Sequence, residues 1–168
     1  MRTSTLFAAF AALITTAASA APASAPASGQ KDIVLKIEGQ MEQEYKDAKG
    51  NPAKRLVPLT KILPGDEIVY TISFNNVGKQ LTSDVVINDP IPADVAYRDG
   101  TAFGPGTEIE FSADGGKSFG KPAALKVKGA DGKERAATAS DYTHIRWQML
   151  AAVAPGQKGF VRFRATVR

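Results

Sequence analysis

The chain has 168 residues, which is enough for one domain with a hydrophobic core and too few for two domains of ordinary size. It contains no cysteine, which excludes disulfides, thiol nucleophiles and thiolate metal sites. Its formal net charge is +4, without any dense run of lysine and arginine, so the composition argues against nucleic acid as a partner.

Residues 1–20 have the three-part layout of a secretion signal. A single basic residue, Arg2, precedes an apolar run at residues 6–14, and the small residues Ala-Ser-Ala end the segment at positions 18–20. The apolar run is about half as long as the roughly 20 residues that a membrane-spanning helix needs. We therefore expect cleavage after Ala20, export to the periplasm or the medium, and no membrane span in the cleaved protein.

Residues 21–31 are rich in alanine, proline and serine. Such a segment offers no large apolar side chain to a core, and its prolines favour an extended backbone. We predict a tether at 21–31 and a folded domain at 32–168.

From residue 32 onward, apolar and polar residues alternate in short runs bounded by glycine and proline, which is the pattern of β-strands. The clearest run is 67–75, where Ile68, Tyr70, Ile72 and Phe74 are expected to share one buried face. Weaker runs predict further strands at 32–38, 83–88, 96–102, 107–113, 119–127, 142–150 and 159–167. The chain therefore predicts an all-β fold, an immunoglobulin-like antiparallel β-sandwich of about seven to nine strands.

A polar segment follows the first predicted strand, at residues 39–55, and contains a Gly-Asn-Pro turn signal. Its composition predicts a loop with at most an irregular hairpin. In the strand before it, Ile33, Leu35 and Ile37 share one face.

Several motifs follow one another in a recognisable order. They are a Pro-Gly-Asp turn at 64–66, a tyrosine at 70, an Asn-Asn-Val-Gly segment at 75–78, an Asp-Pro-Ile-Pro corner at 89–92, Trp147 and a late Pro-Gly turn at 155–156. In this order they resemble the bacterial conserved-repeat domain, also called domain of unknown function eleven, over residues 60–168. The resemblance implies an immunoglobulin-like sandwich in extracellular or envelope proteins, with no assigned reaction. That domain usually occurs in repeats or within a longer surface protein, whereas these residues hold one copy with a long insertion at 105–141.

The matching residues are expected to have mainly structural roles. Gly65 permits a positive φ, and the carboxylate of Asp66 can accept backbone N–H groups in the turn. Asn75 and Asn76 can satisfy backbone groups where the strand leaves its sheet.

Arginines provide the candidate interaction surface. Arg162, Arg164 and Arg168 lie on the polar face of the last predicted strand, and Arg146 lies on a strand that we expect to be its neighbour. Because the guanidinium fork suits carboxylate and phosphate groups, the expected partners are an envelope or surface protein or an anionic glycan. The alternative is that these charges keep an edge strand from pairing with other chains.

Residues 112–119, Ser-Ala-Asp-Gly-Gly-Lys-Ser-Phe, resemble an Asp-box hairpin. The resemblance implies that Asp114 caps a turn, and we expect Phe119 to fill the core. Asp114 is also a weak candidate for calcium binding, because a calcium site takes six to eight oxygens and this segment could supply some of them.

His144 is the single histidine, and it alternates out of phase with Ile145 and Trp147. We expect it at a solvent-facing position, without the base and nucleophile arrangement of a hydrolase or the ligand set of a zinc site. We therefore expect no catalytic residue, no cofactor and no metal.

These observations favour a non-catalytic exported module of the bacterial cell envelope or surface, with a structural or protein-interaction role. The alternative is a secreted accessory protein that binds a glycan or a small ligand. That alternative predicts a groove lined by exposed aromatic residues such as Phe103, Phe119 or Tyr142.

Overall fold

A computed structural model describes residues 31–168, so the predicted signal at 1–20 and the tether up to residue 30 lie outside the described residues. The described chain forms ten strands and two single-turn 3-10 helices, Pro122–Ala124 and Ala139–Asp141. The strands are β1 (Ile33–Lys46), β2 (Pro52–Pro58), β3 (Glu67–Asn76), β4 (Val86–Pro90), β5 (Val95–Tyr97), β6 (Thr107–Ser112), β7 (Lys126–Lys128), β8 (Glu134–Ala136), β9 (His144–Met149) and β10 (Lys158–Val167).

Eight of these strands build the two layers of an antiparallel sandwich. One sheet has five strands in the order β2-β1-β3-β10-β5, and the other has three in the order β4-β9-β6. Strands β7 and β8 form a separate two-stranded sheet. The predicted all-β sandwich is confirmed, and its eight strands fall within the expected seven to nine, while β7 and β8 lie outside the two layers. No helix within residues 31–168 has the length and apolar character needed to cross a bilayer.

The core lies between the two layers and depends on the alternation of inward-facing apolar and outward-facing polar side chains along the strands. The inward face of β3 supplies Ile68, Ile72 and Phe74, as the sequence predicts. The rings of Tyr70 and Phe163 stack with their centroids 4.9 Å apart. Each large apolar side chain that leaves water contributes about 1.5–3 kcal/mol, so this shared interior supplies most of the favourable free energy of folding.

Trp147 on β9 sits at the centre of this interior with no exposed surface. It fits there because Gly104 has no side chain. A Cβ at Gly104 would lie 2.6 Å from Oγ1 of Thr107, 2.8 Å from Cδ1 of Trp147 and 2.9 Å from Cγ1 of Val161. The close approach of this loop to the indole ring therefore requires glycine.

Gly104→Ala is expected to lower the free energy of unfolding by about 1–3 kcal/mol, because the added methyl group overpacks a closed interior. Urea denaturation followed by the fluorescence of the single tryptophan measures the loss. Gly120→Ala is the matched control, since a Cβ there would meet nothing closer than 3.6 Å. Equal stability of the two variants would contradict the packing described for Trp147.

The turn roles predicted for the family motifs are largely confirmed. Gly65 has a φ of +95°, and the carboxylate of Asp66 accepts the N–H of Leu63 at 2.8 Å. The buried amide of Asn76 donates to the carbonyl of Val153 at 2.8 Å, and its Oδ1 accepts the N–H of Gly78 at 2.9 Å. These bonds fix the ends of β3.

Residues 39–55, predicted as a loop with at most an irregular hairpin, form a regular hairpin in place of a loop. Strand β1 continues to Lys46 and pairs regularly with β2, from Gln40 opposite Pro58 to Lys46 opposite Pro52. The turn is closed by Asp47, whose Oδ1 accepts the N–H groups of Lys49 and Asn51. The outer part of this hairpin is exposed, so its strands are not required to carry an apolar face.

Ile33, Leu35 and Ile37 do share one face of β1, the face that points toward the second layer. The three-stranded sheet does not reach them fully, and Leu35 and Ile37 remain 42% and 57% exposed. The alternation of apolar residues therefore predicted correctly which face of β1 points inward, but it did not predict how far that face is buried.

The predicted strand at 119–127 is wrong. Gly120 makes a single bridge to Phe111, and the chain then turns through the 3-10 helix Pro122–Ala124. Pro122 has no N–H to donate to a ladder, which limits the extended part to Lys126–Lys128 in β7.

Asp89 in the Asp-Pro corner is buried, with 6% of its surface exposed. Burial disfavours the carboxylate and raises the pKa of Asp89 from 3.8 to about 6. Since the folded-state pKa lies above the unfolded one, the folded protein loses stability as the pH rises from about 4 to about 6.

Asp89→Asn is therefore expected to raise the free energy of unfolding at pH 7.5 by up to about 3 kcal/mol and to change it little at pH 4. Urea denaturation at both pH values, followed by tryptophan fluorescence, measures the difference. Glu44→Gln on the exposed hairpin serves as the control for removal of one negative charge. A gain of the same size at both pH values would contradict the titration.

Candidate functional site

The structure separates the four arginines that the sequence suggested as one surface. Arg162 and Arg164 lie on the outer face of the five-stranded sheet, and Arg168 follows the end of β10. Arg146 lies on β9, which pairs with β4 and β6 in the other sheet. The expectation that Arg146 joins a row with the arginines of β10 is therefore corrected.

Arg146 has its own partners on the outer face of the three-stranded sheet. Its Nη2 donates to Oε2 of Glu110 at 2.6 Å, and its guanidinium carbon lies 4.1 Å from the ring centroid of Phe119. Phe119 is thus covered by Arg146 on the surface and does not fill the core, contrary to the expectation. The charge of Arg146 is balanced within the domain.

The charge of Arg164 is also balanced by partners within the domain. It donates to Glu67 at 2.5 Å and to Glu42, and Glu67 receives a further hydrogen bond from Arg98. The hydrogen bond from Arg164 lowers the pKa of Glu42, and the bonds from Arg164 and Arg98 lower the pKa of Glu67 although burial acts in the opposite direction. Val69 is fully buried next to Arg164 on this outer face, which shows that the cluster closes the sheet surface at this end.

Arg162 stands in a different environment, a trough along β3. The floor of the trough consists of the short side chains of Thr71, Ser73 and Asn75, on the outer face of the middle strand. Longer side chains from the flanking strands form the walls. They are Val34 and Lys36 from β1, and Lys158, Phe160 and Arg162 from β10. The space between them is about 600 Å³.

The strand register explains why these residues meet. Ser73 lies opposite Lys36 on one side and Phe160 on the other. Thr71 pairs with Arg162, and Asn75 pairs with Lys158. Cross-strand partners in an antiparallel sheet project to the same face, so long residues on both sides of short ones leave a trough.

The trough carries a net positive charge. Within residues 31–168, neither Lys158 nor Arg162 takes part in an ion pair. Arg162 is oriented by a 3.2 Å hydrogen bond from its Nε to Oγ1 of Thr71, and its guanidinium lies 5.0 Å from the ring centroid of Phe160. Lys36 pairs with Glu38 at 3.0 Å, but both side chains are exposed and such pairs are weak.

Two further features belong to the trough. The Oδ1 atom of Asn75 is buried and has no hydrogen-bond partner among the described residues, unlike the amide of Asn76. At the wall, Phe160 packs against Phe103 with the ring centroids 6.2 Å apart, and the two side chains are 37% and 52% exposed. Of the aromatic residues expected to line a groove, Phe103 is thus beside the trough, whereas Tyr142 is buried in the core.

The Asp-box turn forms as the resemblance implies. Oδ1 of Asp114 accepts the N–H groups of Lys117 and Ser118 at 3.0 Å and the hydroxyl of Ser112 at 2.7 Å. Its Oδ2 accepts the hydroxyl of Ser118 at 2.6 Å, and these bonds, first of all those from Ser118, hold the pKa of Asp114 well below its usual range. The carboxylate of the calcium candidate is therefore engaged in its own turn. Across residues 31–168, no group of three or more His, Cys, Asp or Glu residues could hold a metal ion.

His144 lies near this turn, on the three-stranded sheet. Its Nδ1 is 3.1 Å from the hydroxyl of Thr143, and its ring meets the edge of Phe119 at 6.4 Å. Partial burial lowers the pKa of His144, although the charge of Asp114 acts in the opposite direction. The histidine is on the other sheet from the trough.

Lys36 and Lys158 are the cations of the trough that sequence reasoning missed. The periodicity of β10 places Lys158 in phase with Arg162 and Arg164, so the strand pattern could have included it. Lys36 could not be found in this way, since nothing in the sequence shows that β1 lies on the opposite side of β3.

No family model matches the chain, and neither a curated protein nor a solved structure gives a significant match.

Substitution of the two neighbouring arginines is expected to have different effects on stability. Arg164→Gln leaves Glu42 and Glu67 without their shared partner and is expected to cost about 1–2 kcal/mol of unfolding free energy. Arg162→Gln removes a charge that no carboxylate balances and is expected to change stability by less than about 0.5 kcal/mol. Urea denaturation of both variants measures the difference, and similar losses would contradict the assignment of Arg164 as the structural member of the pair.

Proposed function

We propose that this chain is a non-catalytic exported interaction module of the bacterial cell envelope or surface, and that it binds an anionic partner in the trough along β3. The observation that carries the proposal is the pair of cations, Lys158 and Arg162, that stand on one wall without an acidic partner in residues 31–168. On the same strand, by contrast, Arg164 has two acidic partners, Glu42 and Glu67, and its charge stabilises the fold.

The chemistry of the trough supports binding of an anion. An arginine fork can hold a carboxylate or phosphate through two parallel hydrogen bonds, and lysines add flexible positive charge. Arg162 is already held by Thr71 and Phe160, so little side-chain entropy is lost when it binds. The trough is open to water, so we expect moderate affinity that falls as salt is added.

The same groups are poorly suited to acid–base catalysis. The residues that line the trough include no histidine and no carboxylate that could pair with these cations as acid and base. His144 and the buried Asp89 are on the strands of the other sheet. The trough therefore favours recognition over turnover.

The location of the proposed activity rests on the sequence. Residues 1–20 have the pattern of a cleaved export signal, and the motifs of residues 60–168 resemble a domain of extracellular and envelope proteins. An anionic partner of an exported protein is available on the envelope itself, as a glycan or as an acidic protein surface.

Lys158→Glu/Arg162→Glu is expected to lower capture of the purified protein by isolated bacterial envelopes about tenfold or more, because the variant presents negative charge to an anionic partner. A sedimentation assay at low and high salt measures the capture. Lys128→Glu/Lys133→Glu has the same change in net charge and is the control; Lys128 ends β7, and Lys133 lies in the turn that leads to β8.

Capture by the trough variant that equals capture by the control variant would overturn the proposal. The circular dichroism and tryptophan fluorescence of both variants confirm that they are folded. Both pairs of side chains lie on the surface, so neither variant should lose stability by more than about 1 kcal/mol.

A further inference from the structure

The positive charges of the trough are spread along its length. Lys158 and Arg162 are four residues apart on the same face of β10, which corresponds to about 13 Å at the rise of a β-strand. Lys36 stands on the opposite wall, level with Ser73 near the middle. A site for a single phosphate gathers its donors around one point, whereas this arrangement suits a polymer that carries repeated negative charges.

The trough lies on the face of the sheet and not at an edge. Strand β3 is paired along its length with β1 on one side and β10 on the other, so its backbone groups are already used. An extended acidic peptide is usually held by adding a strand to a free edge, and here its own N–H and C=O groups would have to remain with water. The geometry therefore favours a polymer that is recognised through side chains.

The wall and the floor offer contacts that a sugar chain can use. The exposed rings of Phe160 and Phe103 stand beside the cations and can cover the apolar C–H face of a sugar ring. On the floor, Ser73 presents a hydroxyl to the trough, whereas the hydroxyl of Thr71 already bonds Arg162 and Gln40.

From these features we infer that the partner in the trough is an acidic polysaccharide whose negative charge is carried by carboxylates, as in a chain of uronic acids. The inference rests on the proposed function and names its ligand. Arg162 and Lys158 bind carboxylates of non-adjacent sugar units, Phe160 packs against a sugar ring between them, and Ser73 on the floor binds a hydroxyl group. Glu38, beside Lys36 at the rim, opposes binding through its negative charge.

Isothermal titration with polygalacturonate tests the inference on the purified protein that lacks the predicted signal at residues 1–20. Fully methyl-esterified polygalacturonate is the uncharged control polymer, poly-L-glutamate is the acidic peptide, and inorganic phosphate is the isolated anion. We expect binding of polygalacturonate, at least about tenfold weaker binding of poly-L-glutamate, and no measurable binding of the ester or of phosphate.

Variants assign the contacts. Arg162→Gln is expected to weaken binding of polygalacturonate about tenfold, and Phe160→Leu, which keeps an apolar side chain but removes the ring, about threefold to tenfold. Glu38→Gln is expected to strengthen it about twofold to threefold, because a repulsive charge is removed. Lys128→Gln, on β7, is the control and is expected to leave it unchanged.

The outcomes separate this inference from the proposed function. Equal binding of poly-L-glutamate and polygalacturonate, with no effect of Phe160→Leu, would overturn the polysaccharide and identify an acidic protein segment as the partner. Absence of polygalacturonate binding would also overturn it, even where envelope capture still depends on Lys158 and Arg162. The proposed function itself falls only when envelope capture is insensitive to both of these residues.

Discussion

The structure depends on β3 being held on both sides, by β1 and by β10. This central strand has one face of large apolar residues, including Ile72 and Phe74, and an opposite face whose second half carries the short polar residues Thr71, Ser73 and Asn75. The first face is the centre of the core, and the second is the floor of the trough. Because successive residues point to opposite sides, the same pairing that seals the interior also places long side chains along both sides of a short-chained strip.

The sequence was sufficient where a strand has one buried and one exposed face. β3 and β10 were found almost to the residue, because the interior requires apolar side chains at every second position. It was insufficient where this requirement is absent. The β1–β2 hairpin extends beyond the second sheet, so polar residues are tolerated on both of its faces and its strands resemble a loop in composition. The reverse error occurred at 119–127, where apolar residues are present but Pro122 prevents a ladder.

The candidate site was predictable in part for the same reason. Periodicity places Arg162 and Arg164 on the outer face, but it does not show what lies across from them. Arg164 meets Glu42, which is 122 residues away in the chain, and its charge is used by the fold. Arg162 meets Thr71 instead, and its charge remains available. The distinction between an arginine that is paired within the fold and one that has no acidic partner in residues 31–168 therefore follows from the strand register, which depends on contacts that are distant in sequence.

The trough gathers charges that repel one another. Lys36 approaches Lys158 and Arg162 only when β1, β3 and β10 pair, so folding brings together cations from two segments that are far apart in the unfolded chain. Glu38 and the ring of Phe160 offset part of this repulsion, and water screens much of the rest. A carboxylate polymer in the trough would remove the remaining repulsion and would bind only the paired form of the three strands. Its binding energy would then add to the stability of the sheet, which connects recognition on the outer face of β3 directly to the packing on its inner face.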